Sequence, residues 1–175
     1  MPKIALYLQS SADKRIRDGV SPGNAPLTKA VKQGDKTLRD SGALASSITR
    51  HHGSLWADAS TNLHYAKLQQ RGGTIQGGTK GLWIPAGSET RRLMRKYNAR
   101  SAGSLIKAMK NDKYNFYRRN NVFIAIKGAK GKPFALFIIK KSVRIPSRPF
   151  LYIDKNNERF IAKIIQQSVF KSLGE

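Results

Sequence analysis

The chain has 175 residues, and its 33 Lys and Arg face only 10 Asp and Glu, a formal charge of +23 at pH 7. The length suits a single domain with a proper core. The 39% hydrophobic content is too rich for a disordered basic tail, and no apolar run reaches membrane-spanning length.

Ile4, Leu8, Ala12 and Ile16 recur every four residues and predict a short amphipathic helix, although Ile4 to Leu8 alone also suits a strand. The Met1-Pro2-Lys3-Ile4 start lacks the apolar stretch of a secretory signal. Gly19 to Pro26 is a breaker cluster, with a turn at Ser21-Pro22-Gly23-Asn24. Lys29 to Arg39 is polar and basic. Leu44 and Ile48 then fit one short helix capped by Asp40 or Ser41. A strand is expected over Ser54 to Ser60, with Leu55, Ala57 and Ala59 on one side. Tyr65, Leu68 and Gln69 share a face of a two-turn helix ended by Gly72-Gly73, and Gly72 to Gly81 reads as a flexible loop.

Leu82 to Pro85 fits an edge strand, because Pro85 cannot donate to a ladder. Residues 88–119 read as basic helical pieces broken near Ala99 to Gly103, with Leu93, Tyr97, Leu105, Ile106 and Met109 inward. Val122 to Ile126 and Phe134 to Lys140 are the clearest strands, joined as an antiparallel hairpin. Val143, Ile145 and Phe150 continue extended. Asp154 then caps a helix whose stripe is Phe160, Ile161, Ile164, Ile165, Val169 and Phe170. The sum is one α+β domain over 1–175: a small, mostly antiparallel or mixed sheet, helices at both ends, and a basic helical insertion at about 88–119.

The charge is unevenly placed. Residues 76–145 hold 17 basic and 2 acidic groups, so about two thirds of the excess sits in seventy residues. Arg91, Arg92, Arg95, Lys96, Arg100, Lys107, Lys110, Lys113, Arg118 and Arg119 have only Glu89 and Asp112 among them. Solvated faces usually mix both signs. This block therefore predicts contact with DNA or with an acidic neighbour. Tyr114, Phe116 and Tyr117 lie among these cations and suit either base stacking or core packing.

Catalytic signals are weak. Without Cys there is no disulfide framework, thiolate zinc site or Cys nucleophile, and manufacture in the cytosol is expected. His51-His52 and His64 lack metal-ligand spacing and read as surface residues, the adjacent pair at a helix end. No G-x-S-x-G occurs, and the Gly72 to Lys80 run lacks Gly-Lys followed by Ser or Thr. A two-metal nuclease needs clustered carboxylates, yet residues 113–153 contain none. No catalytic, cofactor-binding or metal-binding residue is assigned, and an enzyme is not expected.

Three segments in order carry a resemblance. Leu38-Arg39-Asp40-Ser41-Gly42-Ala43-Leu44-Ala45-Ser46-Ser47-Ile48 resembles an L-x-x-[ST]-G-x-L-x-x-S-I pattern. Ala59 to Thr74 supplies a strand, the Tyr65-Ala66 pair and the Gln70-Arg71-Gly72-Gly73 turn. Leu136 to Leu151 ends in Ile145-Pro146-Ser147-Arg148-Pro149-Phe150-Leu151, like an I-P-x-R-P-F-L signature before a C-terminal helix. Together they resemble the virion morphogenesis, or tail completion (tail terminator-like), family of tailed bacteriophages. Asn24-Ala25-Pro26-Leu27 departs from it, lacking the Trp often found after the early Pro-Gly.

The resemblance implies a non-enzymatic structural protein of the virion, made in the bacterial host's cytoplasm, without cofactor or membrane association. It implies a homo-oligomeric ring, commonly a hexamer, at the neck, meeting the tail tube protein and the head–tail connector, with genomic DNA in the lumen. Arg148 and Phe150 are its candidate interface residues. Arg148 is placed to bind a carboxylate or backbone carbonyls, or an acid of its own chain. The other reading of the charge is a free, sequence-independent nucleic-acid-binding protein.

Overall fold

A computed structural model describes residues 1–32 and 34–174. In chain order the elements are α1 (Pro2–Asp18), α2 (Pro26–Val31), α3 (Ala43–Ser46), β1 (Thr49–His52), β2 (Ala57–Ser60), α4 (Ala66–Arg71), β3 (Gly73–Gln76) and β4 (Leu82–Pro85). There follow α5 (Ser88–Lys96), α6 (Ala102–Asn111), β5 (Tyr114–Arg119), β6 (Val122–Lys127), β7 (Phe134–Lys140), β8 (Ser142–Ile145) and α7 (Lys155–Leu173). The fold is α+β, with a helix at each end and strands in three small sheets: β1-β2, β3-β8 and β4-β7-β6-β5. The chain forms two compact units, each assembled from separated stretches.

The first unit takes in 1–23, 36–73 and the residues from Pro146 onward. Its first helix is longer than the periodicity alone requires. Pro2 stands at its start, where a missing N–H costs nothing, and Arg15 and Arg17 sit in its last turn, where the dipole favours cations. Ala12 and Ile16 of α1 meet Leu44, Ile48, Ala66 and Phe150 in one core, each of them at most 4% exposed. The α1 helix packs on the β1-β2 ribbon, in which Thr49 opposes Ser60 and His51 opposes Asp58. Burying one such aliphatic or aromatic side chain stabilises by about 1.5–3 kcal/mol.

The second unit takes in 24–35 and 74–145. Its antiparallel sheet has β6 and β7 in the middle and β4 and β5 at the edges. Pro85 lies on the edge strand β4, where its missing N–H is tolerated. Helices α5 and α6 supply Leu93, Leu105 and Met109 to a core completed by Ala125, Leu136 and Phe137. Neighbouring strand residues normally point to opposite faces. Leu136 and Phe137 both enter this core because the register shifts at Phe123/Ile124, and such a bulge re-aims one side chain. The Leu136 carbonyl accepts from Thr90 Oγ1 at 2.7 Å and from the Ala86 N–H at 3.1 Å, which ties α5 to the sheet.

Several sequence expectations need correction. Residues 114–119 form the strand β5, not helix, because Tyr114 and Phe116 alternate inward and their rings pack on the sheet. The glycine-rich 72–81 stretch contains β3, which pairs with β8. Neither Asp40 nor Ser41 caps α3; Gly42 does, at φ 85°, a left-handed conformation that favours glycine. The strand expected over 54–60 starts at Ala57, leaving Leu55 and Trp56 exposed in the preceding turn. His51 and His52 lie on the exposed strand β1, not at a helix end.

Candidate functional site

The second unit carries 19 basic and 3 acidic residues, net +16 of the chain's +23. All ten predicted cations belong to it, and all ten are exposed. Four lie on α5 (Arg91, Arg92, Arg95 and Lys96), with Arg100 in the connection to α6. Lys107 and Lys110 lie on α6, and Lys113 follows in the turn before β5. The helices turn Leu93, Leu105 and Met109 to the sheet, so 3.6-residue periodicity sends these cations outward. Arg118 and Arg119 stand at the far end of β5, adjacent in sequence and therefore on opposite sides of the sheet.

Local chemistry holds this basic layer in shape. Ser101 and Ser104 form a reciprocal capping box at the start of α6. Arg95, Lys96 and Lys110 occupy last turns, where the helix dipole favours them. Both acids of the block are engaged: Arg92 Nη2 donates to Glu89 Oε1 at 2.8 Å, and the Tyr97 hydroxyl donates to Asp112 Oδ2. That bond, with the negative carboxylate beside it, pushes the Tyr97 hydroxyl up to about 12. What remains is a dense positive surface able to draw a polyanion without reading its sequence.

The three aromatics among the cations divide. Tyr114 and Phe116 are half-buried, Phe116 stacking on Phe123 with centroids 5.6 Å apart, whereas Tyr117 is 43% exposed. Core packing therefore accounts for two of them.

Arg148 and Phe150 are placed inside the first unit, at 8% and 0% exposure. Arg148 Nε donates to the Pro22 carbonyl at 2.8 Å and Nη2 to the Gly23 carbonyl at 2.9 Å. Burial lowers its pKa from the ordinary value. Of the partners that the sequence leaves open for Arg148, backbone carbonyls are the ones found. Gln70, which enters the sequence reading only as part of the Gln-x-Gly-Gly turn, is the organiser here. Its Oε1 accepts from the N–H groups of Phe150 (2.9 Å) and Leu151 (3.0 Å), and its Nε2 donates to the Leu151 carbonyl at 2.7 Å. Ser147 Oγ donates to the Gln70 carbonyl and the Arg148 N–H to the Gln69 carbonyl. The only local signal for this role is a Gln two residues before the Gly72-Gly73 pair.

The helix stripe after Asp154 is present but largely uncovered. Asp154 and Asn157 form the expected cap, yet Phe160, Ile165, Phe170 and Leu173 are 43–77% exposed. Among the described residues no three His, Asp or Glu side chains gather as a metal ion would require. No described helix is long and apolar enough to cross a membrane. Compared with protein-family models, with curated proteins and with solved structures, the chain matches none.

Proposed function

We propose that this chain is a non-enzymatic structural protein of a tailed-bacteriophage virion, completing the tail as a ring at the head–tail junction. One observation carries the reading. The three segments that resemble the tail completion family, far apart in sequence, meet around Phe150: Leu44 and Ile48 come from the first, Ala66 from the second and Phe150 from the third. Gln70 then binds the second segment to the third through three hydrogen bonds. Segments that build one core together are what a shared fold would give, and this supports the reading.

The +16 unit supplies the working surface in this reading, facing passing DNA or an acidic neighbour. Phosphate attraction without base readout suits a passage that must not hold particular sequences. Copies of so basic a chain repel, so ring closure needs salt or an acidic partner. Electron microscopy of the purified protein, alone and mixed with tail tubes, tests the reading. Rings capping tube ends are expected; stable rings in low salt with no partner would contradict the charge argument, and bare tube ends would contradict the role.

The same unit favours a second reading, a free nucleic-acid-binding protein. That protein would bind DNA or RNA by itself with a steep salt dependence, log K falling by about 0.9 per phosphate contact per decade of salt. Virion association without such binding excludes it.

A further inference from the structure

We infer that the four-stranded sheet has a second working face, opposite α5 and α6, which docks an acidic protein partner through an apolar centre. The register defines it. Leu82 opposes Lys140, Ile84 opposes Ile138, and Ile138 opposes Val122. Alternation along β6 adds Ile124 and Ile126 to the same side. None of Leu82, Ile84, Val122, Ile124, Ile126 and Ile138 belongs to the core under the helices.

The two sides of the central strands differ in exposure at their middle, although Phe123 and Phe134 on the helix side are also half-buried. Ala125, Leu136 and Phe137 are at most 1% exposed, whereas all six residues of the other side are only half-buried. Tyr117, paired with Ile124, is 43% exposed. A contiguous aliphatic sheet side left in water marks an interaction surface.

Charge identifies the occupant. Arg119, opposite Val122, and Lys140, opposite Leu82, place two cations at one end of the face, on β5 and on β7. The four strands contain no Asp or Glu. A second copy laid face to face would set like charges against each other, within units that are each net +16. The centre is aliphatic, so it offers bases no stacking platform. A protein surface with an apolar centre and an acidic rim matches both features. The inference does not depend on where the chain works, and it stands if virion association fails.

The test titrates the full chain with three fluorescent synthetic peptides, read by anisotropy. One is an amphipathic helix with Leu on one side and Glu on the other, the second is its scramble, and the third is its Leu/Lys counterpart. The Leu/Glu helix is expected to bind about tenfold tighter than either control. Ile124→Thr with Ile138→Thr, which keeps strand propensity, is expected to remove that advantage. Arg119→Gln with Lys140→Gln leaves the apolar centre intact and is expected to weaken binding and flatten its salt dependence. Circular dichroism confirms that both variants fold. Equal binding by the scramble, or indifference to the Ile variants, overturns the proposal. So does oligo(dT) binding, or self-association, that disappears in the Ile variants, since either assigns the face to another occupant.

Discussion

Arg15 lies over the ring of Tyr152, its guanidinium carbon 3.8 Å from the ring centroid. The same guanidinium donates to the Tyr152 carbonyl at 2.8 Å, to Asp154 Oδ2 at 2.7 Å and to Asn157 Oδ1 at 2.7 Å. A planar fork spreads these donors over two nitrogens while lying flat on the ring, a geometry that a point-like ammonium cannot reproduce. Nearby, Tyr7 stacks on Phe160 at 4.0 Å, and the buried Asn157 donates to the Tyr7 hydroxyl and Ser11 Oγ. The start of α7 is therefore fixed to α1 by polar groups and one ring pair, while its later turns have little cover. Arg15→Ala is expected to lower stability by about 1–3 kcal/mol, and Arg15→Lys to recover only part. Chemical denaturation measures the loss. Hydrogen exchange should show that it is concentrated in residues 154–164, and uniform destabilisation would contradict this account.

The Asp154 carboxyl is held below its ordinary value of 3.8, first by the Asn157 N–H and then by Arg15. Its folded pKa is depressed, so its contribution is complete above 3.8 and disappears as pH falls from there through the lower folded value. Asn also caps helices well, so Asp154→Asn should remove only the charge-dependent part. The wild-type advantage over Asp154→Asn should be constant from neutral pH to about pH 5 and shrink below 3.8. Urea titrations across that range measure it. A gap that widened with acid would reverse the assignment.

Gln70 and Arg148 each bind backbone groups of distant segments, Gln70 those of Phe150 and Leu151 and Arg148 those of Pro22 and Gly23. Replacing Gln70 takes the acceptor from the N–H of the buried Phe150, and replacing Arg148 removes two hydrogen bonds from a charged donor, at a cost of about 1–3 kcal/mol per bond. Gln70→Ala and Arg148→Met are each expected to cost at least about 2 kcal/mol. Because both organise the Pro146 to Leu151 segment, the double variant should lose less than the sum. Strict additivity in a double-mutant cycle would show two independent sites.

Periodicity and caps made some of this structure legible. The four-residue repeat of Ile4, Ala12 and Ile16 gives α1, short continuous apolar runs give β6 and β7, and Asp154 announces α7. Strand β5 was hidden because Arg118 and Arg119 extend a basic helical run past the point where Tyr114 and Phe116 begin to alternate. The Gln70 clamp joins residues about eighty positions apart, and no local pattern reports such a contact. The cations of the site were legible one by one. Their confinement to a unit that also draws in residues 24–35 was not, since it follows from strand pairing and packing across the chain. An apolar stripe can likewise be read on α7, but periodicity does not say whether anything covers it.

The basic layer contains one spectroscopic reporter of its own geometry. Tyr97 follows α5 and Asp112 follows α6, so their hydrogen bond forms only when both helices lie as described. The hydroxyl donates to the carboxylate, so losing its proton would place two negative oxygens in contact, and its pKa rises from 10.0 to about 12. Tyr97 should therefore titrate late in an ultraviolet pH titration. Asp112→Asn keeps a hydrogen-bonding group but removes the charge, and it should return that tyrosine toward 10.0. Tyr97→Phe should delete the late step altogether. A polyanion that draws α5 and α6 into a new arrangement would shift the step, whereas one bound by the outer cations alone would leave it in place. If the folded wild type shows no late step that Tyr97→Phe removes, the two helix ends do not meet in solution.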